Sequence, residues 1–226
     1  MTDYRVKIEA VNKLTLLKEI FTYRELEKKL GIRTPVLARY VSYKNLPNVK
    51  RAQKIISLFN SIGISELIRK KVSFSGDIID ISSVLSDVLL LRWLAEKIDV
   101  AADVVLTMAV DGITFGTIVA EKLKAKIAYV KDREETGVKS FYQITMTYGP
   151  GIHQRKFYLP KKLLKRDDRV LIVDDILRTG KTFEALIKIA EKAKAEIVGG
   201  AVIFSKRDII EDFRKRLPKF YVFYEF

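Results

Sequence analysis

The chain has 226 residues, 48% of them apolar, and a formal net charge of +14. That length suits one large domain or two small ones with a sizeable core, and no apolar run approaches the roughly 20 residues of a membrane-spanning helix. Cysteine is absent, which excludes a disulfide framework and thiolate metal sites and, with no signal-peptide layout at the start, leads us to expect a cytoplasmic protein.

The excess charge sits early. Residues 1–72 hold 16 Lys and Arg against 6 Asp and Glu. A concentrated positive field attracts phosphate backbones, although a solvated basic surface would look the same, and the scarcity of Asn, Gln and Met beside abundant Lys, Glu and Ile matches a heat-adapted source. Residues 14–21 are apolar enough for a first helix. Thr22, Tyr23, Arg24 and Glu25 form a capping box, in which hydroxyl and carboxylate each satisfy an orphan N–H. The helix they open runs to about Leu30, and Gly31 supplies the turn after it. Thr34 as N-cap and Pro35 at the first position restart a helix. Leu37 and Val41 point inward on it, while Arg39, Tyr40 and Ser42 point elsewhere. Lys44, Asn45, Leu46 and Pro47 make a loop, and 49–59 is another amphipathic helix.

Two short helices joined by a tight glycine turn make a helix-turn-helix. Residues 14 to about 60 resemble the lambda-repressor-type helix-turn-helix family, with Tyr43 standing where that family often has Gly. The resemblance implies that the second helix enters the major groove of a double-stranded DNA operator. Arg33, Thr34, Val36 and Arg39 would then face base edges, and Lys44, Asn45 and Arg51 would hold phosphates. The competing reading is a helical accessory domain or a hood over an active site. Residues 72–77, with Ser73, Ser75 and Gly76, read as a joint. We therefore expect an all-α domain over 1–72 and a second domain over 73–226.

Beyond the joint, strands and helices alternate, which argues an α/β fold with a mostly parallel sheet. Residues 104–110 form a strand, 109–112 a turn and 113–124 a helix, and 126–131 a strand. A polar stretch, 132–139, leads into two alternating segments, 140–148 and 155–159, read as a long hairpin around Gly149, Pro150 and Gly151. A strand follows at 170–173, then helix 181–194, strand 196–205, helix 207–217 and a last strand 219–226. His153, the sole histidine, reads as a surface residue.

The most informative run is 170–182. Four apolar residues make a strand buried on both faces. Asp174 and Asp175 stand where it ends, and a short loop of Leu177, Arg178, Thr179, Gly180, Lys181 and Thr182 enters an amphipathic helix. Carboxylates suit the hydroxyls of a sugar, and the free amides of a helix start suit a phosphate. A Walker A loop is excluded, because it needs a glycine where Asp175 stands. The run resembles the signature of the type I phosphoribosyltransferases, which bind phosphoribosyl pyrophosphate (PRPP). The resemblance covers roughly 73–226 and implies that fold. It gives Asp174 and Asp175 the ribose and the loop from Leu177 to Thr182 the 5-phosphate. The turn of Ala109, Val110, Asp111 and Gly112 would hold pyrophosphate, on a peptide bond often strained in that family. Val130, Lys131, Asp132 and Arg133, with Met146, Thr147, Tyr148 and Gly149, look similar to adenine and xanthine phosphoribosyltransferases, so Lys131 and Arg133 would meet the pyrophosphate charges. Mg²⁺ would arrive with PRPP, with Asp111, Asp174 or Asp175 as its candidate supports.

Catalysis is where the pattern departs. Several purine-salvage members place a carboxylate just before Thr-Gly-Lys-Thr, and here that position is Arg178, whose guanidinium cannot act as a general base. A basic residue there resembles the bacterial purine repressor, a transcription factor built on a phosphoribosyltransferase domain but with a different, winged DNA-binding domain. The expected function is a homodimeric transcriptional regulator that senses PRPP or a purine nucleotide. The alternative is an active purine phosphoribosyltransferase with a helical accessory domain.

Overall fold

The computed structural model describes residues 3–76, 78–148 and 153–226. The expected turn at Gly149, Pro150 and Gly151 lies outside them, as do Asp77 of the joint and the side chain of His153. The described chain divides into two compact units, Met1–Leu90 and Leu91–Phe226.

The first unit opens with α1 (Asp3–Ile20), α2 (Tyr23–Leu30), α3 (Thr34–Val41), α4 (Val49–Asn60) and α5 (Ile64–Arg69). Helix α1 is longer than its apolar stretch, because Ala10 and Val11 join Leu14, Leu16 and Leu17 in the buried face. The capping box forms as read: the Thr22 hydroxyl accepts from the Glu25 amide, and the Glu25 carboxylate accepts from the Thr22 amide at 2.7 Å. Gly31 follows α2 with φ +66, where a side chain would be strained. Two details of α3 differ from expectation. Its N-cap is Arg33, not Thr34. Tyr40 is buried, and its hydroxyl accepts from Arg51 Nη1 at 3.1 Å, while Val41 is only half-buried. A helix places i and i+3 on one face, so Leu37 selects Tyr40 as its inward neighbour.

Residues 73–76 do not form a simple joint. Strands β1 (Ser73–Ser75) and β2 (Ile78–Asp80) pair antiparallel, and α6 (Ser82–Leu85) follows, all within the first unit. The Lys71 ammonium is shared between the carboxylates of Glu19 and Asp87, which ties α1 to the residues before α7 (Val88–Glu96).

The second unit is built on β3 (Val104–Met108), α8 (Gly112–Leu123), β4 (Lys126–Val130), β7 (Arg169–Leu177), α9 (Lys181–Ala193), β8 (Glu196–Ser205), α10 (Arg207–Arg216) and β9 (Phe220–Glu225), with the hairpin β5 (Phe141–Tyr148) and β6 (His153–Pro160) inserted after β4. The sheet order is β4-β3-β7-β8-β9, and every neighbouring pair is parallel. Its strands are near-continuous apolar runs because helices cover both faces. Alternation along β9 shows the two layers. Phe223 meets Phe115 of α8 edge-on, and Phe220 meets Phe183 of α9. Phe183 is fully buried, worth roughly 1.5–3 kcal/mol of transfer free energy. The chain runs outward from β3 to β4 and in the opposite sense from β7 to β8 and β9, so the switch point falls between β3 and β7. Open α/β sheets bind ligands beside that point, beyond the strands' carboxyl ends.

Candidate functional site

A cleft of about 1070 Å³ opens at those carboxyl ends, a volume suited to a small-molecule ligand. Its floor is β7, which runs to Leu177 and does not stop before Asp174 as the sequence suggests. Asp174 pairs in register with Val202 of β8. The sheet thus carries both carboxylates in, leaving Asp174 3% and Asp175 6% exposed. Asp174 Oδ1 accepts the Asp175 N–H at 3.1 Å. Burial, then the charge of Asp175, holds the Asp174 carboxyl well above the usual carboxylate range, and burial raises Asp175 as well. The pair therefore holds a proton more tightly than two exposed acids would.

Gly112 opens α8 directly against this pair. A Cβ there would lie 2.4 Å from Thr107 Oγ1 and 2.7 Å from Asp174 Oδ1, so only glycine lets helix and acid approach. Asp111 sits at the N-cap position but makes no side-chain cap bond; it is exposed and lines the cleft. The Ala109–Val110 peptide bond is cis. After β7, Arg178 and Thr179 lead to Gly180 (φ +70), and α9 begins at Lys181. The first amides of that helix have no intrahelical acceptor, and its dipole favours an anion.

The third wall comes from the hairpin. Lys131 and Tyr158 exchange backbone hydrogen bonds at 3.0 and 2.8 Å, joining β6 to the end of β4. Lys192 of α9 donates to the Gln143 carbonyl at 2.7 Å and ties down β5. This places Arg155 and Phe157, two residues apart on one strand face, against the cleft. The Lys131 ammonium donates to Glu135 Oε2 at 2.8 Å and lies 5.1 Å from the Tyr129 ring centroid. Lys131 holds the Glu135 carboxyl below its usual value.

Of the sequence-derived ligand residues, Ala109, Val110, Asp111, Gly112, Lys131, Arg133, Asp174, Asp175, Leu177, Arg178, Thr179, Gly180 and Thr182 all line this one cleft. Lys181 stands beside it at the first turn of α9. Tyr129, Arg155 and Phe157 line it too and had no motif to announce them, as does Ile176 within the signature run. The sequence signal for Arg155 was its place two residues before Phe157 in an alternating segment. Among the described residues no group of three or more acids or histidines could hold a metal.

The predicted DNA-facing residues lie in the first unit. Arg33, Arg39, Lys44, Asn45 and Arg51 are exposed and Val36 is half-buried. Thr34 is engaged within the protein: its hydroxyl donates to Glu27 Oε2 at 2.7 Å and its amide to the same oxygen at 2.9 Å, locking α3 onto α2. These bonds also hold the Glu27 carboxyl below its usual value. No helix among the described residues is long and apolar enough to cross a membrane.

A family model for the phosphoribosyl transferase domain matches residues 89–218. Adenine phosphoribosyltransferase of Clostridium botulinum is 27% identical over 135 residues, 58% of this chain and 77% of that protein. The purine biosynthesis transcriptional repressor PurR of Bacillus subtilis is 26% identical over 204 residues, 88% of this chain and 69% of that protein. Adenine phosphoribosyltransferase of Thermoanaerobacter pseudethanolicus has a similar fold, with a TM-score of 0.61 at 18% identity over 71% of this chain and 99% of that one.

Proposed function

The chain belongs to the phosphoribosyl transferase family, and from that premise we propose that it is a DNA-binding transcriptional regulator of purine or nucleotide metabolism. Its second unit binds PRPP or a nucleotide, and its first unit is a helix-turn-helix that binds double-stranded DNA. The observation that carries this reading is the reach of the repressor match. It covers 88% of the chain, more than the second unit holds, so the aligned stretch extends well into the first 90 residues and supports a regulator; the helix-turn-helix reading of that stretch rests on α2, Gly31 and α3. The enzyme match covers 58%. Arg178, in place of a carboxylate in the ligand loop, points the same way, since a guanidinium cannot take a proton at neutral pH.

In this reading Asp174 and Asp175 accept the vicinal hydroxyls of the pentose. The amides at the start of α9, with Thr179, Lys181 and Thr182, receive the 5-phosphate. The Ala109–Gly112 turn, Lys131 and Arg133 face the diphosphate. Lys131 is already paired with Glu135, so the diphosphate takes the place of that carboxylate. Magnesium arriving with the diphosphate would supply charge neutralisation there, and Asp111, an exposed carboxylate within the turn itself, would be the residue to support it. Ligand changes DNA affinity only if it favours one state of the protein over another, and homodimerisation lets two α3 helices read paired half-sites.

The second reading, an active purine phosphoribosyltransferase, is favoured by the completeness of the cleft. One pair of assays separates them: fluorescence anisotropy of promoter DNA with and without PRPP, and nucleotide formation from PRPP with each common nucleobase. We expect specific DNA binding that PRPP shifts and no turnover at enzymic rates. Arg33→Ala with Arg39→Ala abolishes DNA binding and leaves PRPP binding intact. Turnover without specific DNA binding would overturn the regulator.

A further inference from the structure

We propose that the second unit carries a second anion site, for a small phosphorylated ligand with an apolar ring, at the end of the sheet opposite the cleft. A depression of about 750 Å³ lies where β3, β4 and β7 begin. Four of its ten lining residues are lysines, Lys124, Lys126, Lys162 and Lys165, against 42 Lys and Arg in 226 residues of the whole chain. All four are exposed, and a concavity lined by one sign of charge focuses its field on an incoming counter-ion.

The two acids in the depression do not neutralise these lysines. Asp103 is taken by Arg169, which donates from Nη2 at 2.8 Å and from Nε and its backbone amide at 3.0 Å. Asp168 Oδ2 accepts the Lys165 N–H at 2.8 Å and closes the turn before β7. Among the described residues none of the four ammoniums has a carboxylate within ion-pair distance, and Glu135 acts on Lys162 only from further away. The site is therefore short of anions. Its walls also include Ile127 and Leu163, both half-buried, with Ala102 and Val104 buried beneath; the two half-buried side chains are apolar surface that a bare inorganic anion would leave uncovered. A lysine rim over an apolar floor matches a ligand with phosphates at one end and a flat ring at the other, as in a nucleoside polyphosphate. Duplex DNA is too wide to enter such a depression, and its phosphates would reach only the rim. The inference rests on charge and shape alone and does not depend on what the cleft binds.

The test uses the full chain, ATP in EDTA as the probe, calorimetry for affinity and amide hydrogen exchange for location. ATP is expected to protect residues 124–127 and 162–168. The exposed-site variant Lys126→Gln/Lys162→Gln/Lys165→Gln is expected to lose that protection and at least tenfold in affinity, with PRPP binding at the cleft unchanged. A charge reversal, Lys162→Glu alone, should weaken the same site and provides a second check. Absence of ATP protection at these segments, or variants that bind like the wild type, would overturn the proposal. So would protection of the same segments by a nonspecific DNA duplex but not by ATP. PRPP titration of the same samples reads the cleft separately, so failure there leaves this result standing.

Discussion

Replacing Asp174 by Asn should make the second unit more stable and a poorer ligand binder. Asn fills nearly the same volume, and its side-chain oxygen can still accept the Asp175 N–H that Asp174 accepts at 3.1 Å. What it removes is a buried negative charge beside a second carboxylate. Asp174 is 3% exposed, so solvent screens little of that repulsion, and its carboxyl is raised well above the usual range by burial and by Asp175. A raised folded-state pKa contributes stability that is complete below the unfolded value, near 4, and is lost as pH rises through the folded value. The wild type should therefore lose ground relative to Asp174→Asn as pH climbs from 4 towards 8, with the two proteins closest at the acid end. A gain of about 1–2 kcal/mol at pH 7 falls in the range of single stabilising substitutions. Urea unfolding of both proteins across that pH series measures it. PRPP affinity should drop about tenfold or more, the loss of a hydrogen bond to a charged group. A variant less stable than wild type at pH 7, or a gap that does not change with pH, would refute the account of the buried pair.

Three further outcomes follow from the same geometry. Gly112→Ala must displace Thr107 or Asp174, whose oxygens would lie 2.4 and 2.7 Å from the new Cβ; we expect a cost of about 1–3 kcal/mol in chemical denaturation and weaker PRPP binding. Asp103, held to a pKa of about 2 by its hydrogen bonds to Arg169, supplies stability present above pH 4 and lost as pH falls towards about 2. Asp103→Asn should flatten that part of the acid-unfolding curve, and an unaltered curve would show the bridge between β3 and β7 to be idle. Thr34→Val removes the hydroxyl that Glu27 Oε2 accepts at 2.7 Å. Promoter affinity should fall several-fold with helix content unchanged by circular dichroism, because α3 loses its fixed angle on α2.

How much of this was readable depends on how local each feature is. The acids, the loop and the helix start proposed to receive a sugar phosphate lie within 174–182, so one stretch of sequence shows them together. The capping box and Gly31 were legible for the same reason, since each satisfies orphan groups of its own helix. The end of β7 was misread because two adjacent aspartates look like a strand's exit into water. In fact β8 pairs past them and the sheet pulls them into its interior, which a single segment cannot reveal. Residues 64–85 resisted assignment through shortness: a six-residue helix, two three-residue strands and a four-residue helix give no period time to repeat. Arg155 reaches the cleft only because β6 is tied to Lys131 of the β4 end, a pairing across more than 20 residues. The lysine depression gathers the starts of three strands spread over 102–168. In this chain the groups proposed to contact ligand directly come from contiguous motifs. The groups that shape the walls, and any second site, come from strand register. Changes to the walls can therefore retune the ligand while the signature stays intact, and so a phosphoribosyltransferase signature by itself does not separate a sensor from an enzyme.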